Sequence, residues 1–323
     1  MLCKPIRQAF VLLSVCVSVV LNAQAAYPER PVHIVVPYAA GGGSDIMTRA
    51  LAKAMAAATG QNFVVENRPG AGGNLGALAV ARAARDGYTL LLASPATHGI
   101  NTFMYKSPGF DPVKDFAAIG MIGNSAMVLF AHVSVPVSNL QELIALVRAN
   151  PGKYPYASPG SGSQHHLGME QLKAKARLDM PHVPYKGAGP AMIDLVGGQV
   201  PFMIGGFGPA APYLAQGKIR ALAAANSKRL PSASHVPVFA ETVPGTGVGS
   251  WVGLMAPAGV ALDVVRALSG VLEKALKDEE LRQSFTRVGV DIEYQPPEAF
   301  ARLVAADLPV WKELVEVSGA KAD

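Results

Sequence analysis

The chain has 323 residues, half of them hydrophobic, and only two cysteines, which is long and apolar enough to build two packed domains without disulfide staples. Its 28 basic residues outnumber 23 acidic ones for a net charge of +5, and the longest basic cluster is Lys228-Arg229. Nucleic-acid binding, which concentrates Lys and Arg on one face or run, is thereby set aside.

Lys4 and Arg7, the apolar run 10–21 and Ala23-Gln24-Ala25 read together as a secretory signal over 1–25, cleaved near Ala25/Ala26. The run is too short for a membrane span, which needs roughly 20 residues. A lipoprotein signal wants a small residue before its cysteine, and Val15 precedes Cys16. Both cysteines, Cys3 and Cys16, fall in the signal, so the mature chain has none even though its compartment permits disulfides. Without Lys4 and Arg7 there remain 26 basic against 23 acidic residues, a formal charge of +3.

The mature chain alternates β-rich runs with helical patterns, the signature of sheets covered by helices. Residues 33–37 read as a first strand, and Ile46, Ala50, Leu51, Ala54, Met55 and Ala58 follow at helical spacing. A second strand is expected over 63–66, with Asn74 as N-cap of a helix through Leu75, Leu78, Ala79 and Ala83. Asp86-Gly87 turns the chain into a third strand, 89–93. Ser138 begins a capping-box pattern ahead of Leu140, Leu143, Ile144 and Val147, and Asn150-Pro151-Gly152 closes that helix. In the tail, Leu262 to Leu276, Leu281 with Phe285, and Phe300 with Leu303 and Val304 mark three helices, the last kinked or ended by Pro309.

Two nearly uncharged apolar stretches, 119–130 and 219–225, read as crossovers between lobes. They divide the chain into a discontinuous first lobe, 26–124 plus 224–323, and a second lobe, 125–223.

Three Gly- or Ser-rich loops, 39–44, 69–73 and 158–163, each follow a strand and precede a helix. Glycine permits close backbone approach, and each helix start offers free N–H donors with a partial positive charge. Such loops serve as simple turns in any α/β fold; three of them at strand C-terminal ends point to an anion site. A nucleotide is set aside: Gly41-x-Gly43 and Gly70-x-Gly72 lack the third glycine of the dinucleotide fingerprint, and no Gly-Lys-Ser/Thr loop occurs. A hydrolase could draw on Ser161, Ser163, His165 and His166 with Asp45 or Asp194, although no serine is flanked as in a nucleophile elbow. No metal is expected, because adjacent His165 and His166 point in different directions on a helix; one would be packed or capping, the other solvent-facing or near ligand. Asp45 reads as a cap or dipole partner of the first helix that orders the loop. Asp194 reads either as an exposed helix residue or as a neighbour of Tyr185-Lys186-Gly187, where a hydroxyl and a cation could reach the cleft.

The segments Pro37-Tyr38-Ala39-Ala40-Gly41-Gly42-Gly43-Ser44-Asp45, Glu66-Asn67-Arg68-Pro69-Gly70-Ala71-Gly72-Gly73-Asn74 and Asp86-Gly87-Tyr88-Thr89-Leu90 resemble the substrate-binding proteins of tripartite tricarboxylate transporters, the Bug family. Residues 158–166, Val183-Pro184-Tyr185-Lys186-Gly187, Asp194-Leu195, Gly198-Gln199-Val200, Trp251 and Ala256-Pro257-Ala258-Gly259 continue the match in the family's order. The resemblance implies an α/β, two-lobed Venus-flytrap fold of the type II periplasmic-binding-protein kind with a ligand cleft between the lobes. It also implies a receptor, not an enzyme, that needs no cofactor. One wall would be Tyr38, Gly41, Gly42, Ser44, Asp45, Ala93, Ser94 and Thr97. The facing wall would be Ser158, Ser161, Gly162 and Ser163, with Gly206, Phe207 and Gly208 near the mouth and His166, Tyr185, Lys186 and Asp194 behind. The ligand expected is a small organic carboxylate, and the partners are transporter membrane subunits or, alternatively, a sensor kinase; the receptor would act as a monomer. Arg85 before Asp86-Gly87 and Pro201 after Gly198-Gln199-Val200 depart from the family's usual residues, away from these loops.

Overall fold

The computed structural model describes residues 27–321, so the expected signal lies outside the described residues. The strands are β1 (Val32–Val36), β2 (Phe63–Asn67), β3 (Thr89–Ala93), β4 (Phe116–Ser125), β5 (Met127–His132), β6 (Tyr156–Ser158), β7 (His182–Pro184), β8 (Phe202–Gly206), β9 (Ile219–Ala224), β10 (Trp251–Pro257) and β11 (Val290–Gln295). The helices are α1 (Gly43–Thr59), α2 (Asn74–Ala81), α3 (Asn101–Met104), α4 (Leu140–Ala149), α5 (Gln164–Ala176), α6 (Ala188–Val196), α7 (Phe207–Ala215), α8 (Phe239–Thr242), α9 (Leu262–Ala275), α10 (Glu279–Val288) and α11 (Pro297–Ser318).

The strands form two mixed sheets, β11-β4-β10-β3-β1-β2 and β7-β6-β8-β5-β9. In the first, β1 runs parallel to β2 and β3, and β10 runs antiparallel to β3 and β4. In the second, β6 runs parallel to β7 and β8, and β5 is antiparallel to β8 and β9. From Ile34 to Val36 both faces of β1 are covered, which explains the apolar run there; His33, near the strand's start, is exposed. Val32, Ile34 and Val36 pack with Met47, Leu51 and Met55 of α1 and Leu268 and Leu272 of α9. Val35 turns the other way, toward Ala77 and Val80 of α2 and Phe300 of α11. The second sheet repeats this arrangement: Met127, Leu129 and Ala131 face α4 and α5, while Val128 and Phe130 face α6 and α7.

The chain passes between sheets at Ala126, inside the expected stretch 119–130, and leaves β9 at Ala224, inside 219–225. The segment 226–248, expected with the first lobe, packs on the second sheet, with Leu230, Val236 and Val238 against Val128 and Phe130. Its return point lies next to β10. Asn226 clasps the crossovers: its Oδ1 accepts from Met127 N–H (2.9 Å), and its Nδ2 donates to Ser125 O and Ser250 Oγ (2.8 Å each).

Three local expectations are corrected. The N-cap of α4 is Asn139, one residue after Ser138, with Asn139 accepting from Glu142 N–H and Glu142 accepting from Ser138 N–H. Gly73, not Asn74, caps α2. Pro309 does not end α11, which continues to Ser318. Burial explains that persistence: Phe300 and Val304 anchor its first half on the first sheet, and Trp311, Leu314 and Val315 anchor its second half in the core of the second lobe.

Candidate functional site

The loops expected to carry function all lie at C-terminal ends of parallel strands, where open α/β sheets present ligands to backbone donors and helix starts. In the first lobe they follow β1, β2 and β3. In the second they follow β6, β7 and β8. The two sets meet between the sheets: a methyl group built on Gly162, after β6, would collide with the Met104 side chain, after β3.

The loop after β1 is organised by Asp45. This residue is only 4% exposed; its carboxylate accepts from Gly41 N–H (2.9 Å) and pairs with Arg49 (2.9 Å). Burial alone would raise its pKa, but the Gly41 N–H, Arg49 and Asn67 outweigh that and hold the carboxyl below its ordinary value. Gly41 has φ 83°, a left-handed conformation that suits glycine. Asp45 is not the cap of α1, whose N-cap is Gly42 with no side-chain bond; from the first turn it orders the loop instead, while Gly41, Gly42 and Gly43 remain exposed. Tyr38 and Ser94 form a hydroxyl pair (3.0 Å) at the ends of neighbouring strands. Ala93 and Thr97 are fully buried. Ala93 belongs to the core, and the Thr97 hydroxyl bonds Ser94 N–H, Ser94 O and His98 Nδ1, so these two build the turn after β3 and do not line the surface.

The loop after β6 is built differently, because its side chains satisfy one another. Ser158 is fully buried, with its Oγ 2.7 Å from His182 Nε2 and bonded to Gly160 O and N–H. Ser163 caps α5, accepting from His166 N–H and donating to Gly160 O (2.8 Å). His166 Nδ1 accepts from Gly162 N–H (3.0 Å). The His166 and His182 rings stack at 3.9 Å, and His182 stacks on Tyr156 at 4.9 Å. Glu170 collects the Tyr156 hydroxyl and Lys173. Burial, then His166 and Lys173, push His182 down to about 3, and burial pushes His165 down to about 4; burial is also the leading cause of the lowered pKa of His166. Both stacked imidazoles are neutral at pH 7, as the Gly162 N–H donated to His166 requires.

Of the remaining expected residues, Ser161 is exposed and bonds no histidine. Tyr185 donates to Asp194 (2.6 Å), whose charge, together with burial, pushes the phenol up to about 12. With Asp45 committed to Gly41 and Arg49, and Asp194 to Tyr185, the serines, histidines and acids of the hydrolase alternative do not assemble as a set. Lys186 is exposed beside Gly187, the N-cap of α6. Gly206 caps α7, and Phe207 N–H donates to Ala126 O at the crossover. Gly208 lies against Gly289, where an added Cβ would sit 2.5 Å from Gly289 N, so it serves the junction of the lobes more than the mouth. Among the described residues no group of three or more His, Cys, Asp or Glu side chains could hold a metal.

Sequence reading missed His182 and Asn101, which bond Ser158 and Asn74 across 24 and 27 residues; no local pattern announces such pairs.

Helix starts set the chemistry of the site. Four helices have glycine N-caps and no side-chain cap: α1 (Gly42), α2 (Gly73), α6 (Gly187) and α7 (Gly206). Each follows a strand at the end where the loops gather. Away from this end, Asn139 and Asp278 cap α4 and α10 with their own side chains. At α1 and α6 the glycine cap leaves first-turn N–H groups and the positive end of the helix open to an incoming anion; at α2 the Asn74 and Leu75 N–H groups already donate to Ala71 O and Gly70 O, and at α7 the Phe207 N–H donates to Ala126 O.

Two α/β lobes joined by crossovers, with loops converging from both sheets, define a solute-binding protein of the periplasmic two-lobed class. The family model described as "Tripartite tricarboxylate transporter family receptor" matches residues 47–320, and the chain belongs to that family. It is 34% identical over 299 residues to protein BugT of Bordetella pertussis, covering 91% of each chain. Among solved structures, R. palustris Rpa4515 with adipate superposes with a TM-score of 0.80 at 32% identity, covering 91% of this chain and 99% of the other. MatC (Rpa3494) from Rhodopseudomonas palustris with bound malate gives 0.75 at 34% identity, covering 90% and 100%. The family and these neighbours are substrate-binding receptors.

Proposed function

We propose that the mature protein is a periplasmic receptor that captures a small organic carboxylate between its lobes and presents it to the membrane subunits of a tripartite tricarboxylate transporter. The observation that carries this reading is the pair of open helix starts, α1 in the first lobe and α6 in the second, both glycine-capped and both following a strand at the end where the loops gather, since uncapped N–H groups favour an anion. Adipate and malate, named with two neighbours, support a small carboxylic acid as the ligand class. Tyr38, Gly41, Gly42, Ser44 and Ser94 contribute from the first lobe, and Ser161, Gly162, Lys186, Gly206 and Phe207 from the second. The lobes are 27–124 with 249–321, and 127–248, with α11 bridging them. Closing excludes water and strengthens each hydrogen bond to the carboxylate. The receptor acts as a monomer, exported by a signal cleaved near Ala25.

Native mass spectrometry of the mature protein purified from its own host, followed by extraction and identification of the bound molecule, tests this reading. One organic acid per chain, recovered unchanged after prolonged incubation, is expected. A chemically altered acid, or a neutral molecule in the cleft, contradicts it.

A further inference from the structure

The start of α2 holds a polar group that the fold leaves without a partner. Asn74 is 4% exposed, and its Nδ2 finds no hydrogen-bond acceptor. Its neighbours fix which amide atom this is. Asn101 Nδ2 donates to Gly72 O (3.0 Å), and a carbonyl only accepts, so that atom of Asn101 is its NH2. The same NH2 donates to the Asn74 side chain at 2.8 Å, which makes the facing atom of Asn74 its oxygen. The free end is therefore a donor pair by necessity of the network. A buried donor left unmatched costs about 1–3 kcal/mol, and native structures keep few of them without an explanation.

Its surroundings point to what completes it. Asn74 is the first residue of an eight-residue helix whose glycine cap offers no side chain, and side chains on a helix lean toward its N-terminus; the Asn74 and Leu75 N–H groups are already given to Ala71 O and Gly70 O, so the side-chain amide is the donor left over at this helix start. Gly73, just before it, packs on Pro37 and on the Thr97 methyl, where a Cβ would meet them at 3.3 and 3.0 Å. The amide thus lies where the loops after β1, β2 and β3 converge. No cation shares the position: Arg68 pairs with Glu66, and Arg49 with Asp45. A buried neutral donor left over in this way is met most strongly by an anionic oxygen.

We infer that Asn74 is a ligand-binding residue, its Nδ2 donating directly to a carboxylate oxygen of the bound acid, with Asn101 as the positioning residue that holds the amide in that orientation. This rests on the carboxylate-receptor reading. The test is calorimetric titration of the mature wild type, Asn74→Asp and Asn74→Ala with malate, adipate, citrate, benzoate and glutamate and with their neutral amides. Aspartate keeps the oxygen that serves Asn101 but replaces the free donor with a second anionic oxygen. The acid that binds wild type should bind Asn74→Asp about a hundredfold more weakly and Asn74→Ala about tenfold more weakly, with the ligand-free melting temperatures little changed. Equal affinity in all three proteins overturns the Asn74 assignment and leaves the receptor reading standing. An amide that binds wild type where none of the acids does overturns both. Should a variant fail to fold, wild type decides: the Asn74 side-chain NH2 resonances must move when the binding acid is added, and resonances that stay in place overturn the assignment.

Discussion

The loops after β1 and β6 look alike in sequence, both rich in Gly and Ser, yet they are in opposite states. In the first lobe, one buried carboxylate organises the loop from behind and leaves Gly41, Gly42 and Gly43 uncovered. In the second, Ser158, Ser163, His166 and His182 are all engaged with the loop or with each other. A hydroxyl in a Gly-rich loop is thus no measure of what a ligand can reach. The loop after β1 leaves backbone donors uncovered, while the loop after β6 is held rigid by its own side chains.

Substitutions can break or sharpen that contrast. The largest effect is expected where the lobes touch: in Gly208→Ala the new Cβ would fall 2.5 Å from Gly289 N and 2.9 Å from Arg287 O, costing about 3 kcal/mol through overpacking. Chemical denaturation measures this, and an unchanged midpoint would remove Gly208 from the junction. Next, Ser158→Ala should cost about 2 kcal/mol, because His182 loses its partner inside the fold; Ser161→Ala should cost close to nothing, its side chain being exposed. Equal losses in the two variants would erase the distinction between built and open positions. Ser163→Ala removes the N-cap of α5 and should lower stability by about 1 kcal/mol, with any loss of ligand affinity secondary to it. Asp45→Ala should weaken carboxylate binding by about 1–3 kcal/mol through disorder of the Gly41 loop; undiminished affinity would mean that Asp45 does not shape the site.

A pH dependence tests the buried histidines as a group. His98 and His182 are pushed down to about 3 and His165 to about 4 from an ordinary 6.5, burial being the leading cause. Because each pKa is depressed in the folded state, the unfolded chain binds more protons below 6.5. Stability is intact above that value and declines as the pH falls toward 4. Melting temperature should drop between pH 7 and pH 5, less steeply in His182→Gln; a flat profile in wild type would contradict neutral, stacked imidazoles.

Much of this architecture was legible in the residues. The alternation that marks β1, β2 and β3 comes from side chains that must be buried, and the apolar run around Ala126 marks a crossover because it joins β4 of one sheet to β5 of the other; the run 219–225 only forms β9, and the chain returns later, beside β10. Asp45 beside a glycine run gave its own role away, since an acid in the first turn of a helix has few other uses. What stayed hidden depends on contacts between distant segments. Thr97 and Ser158 read as ligand donors until His98 and His182 are seen beside them, and segment 226–248 reads as first-lobe chain until Leu230 and Val236 are seen in the second core. Pro309 signals a helix end by local rules, but burial of Phe300 and Trp311 on either side carries α11 through it.

The central claim is that open helix starts make this cleft select a carboxylate. Thermal unfolding of the mature chain against malate, adipate, citrate, benzoate and glutamate, each paired with its neutral amide, tests it most directly. An acid at 1,000 times its dissociation constant should add about 4 kcal/mol of stability while its amide adds none. A transition that shifts equally for acid and amide, or for the amide alone, would contradict the account.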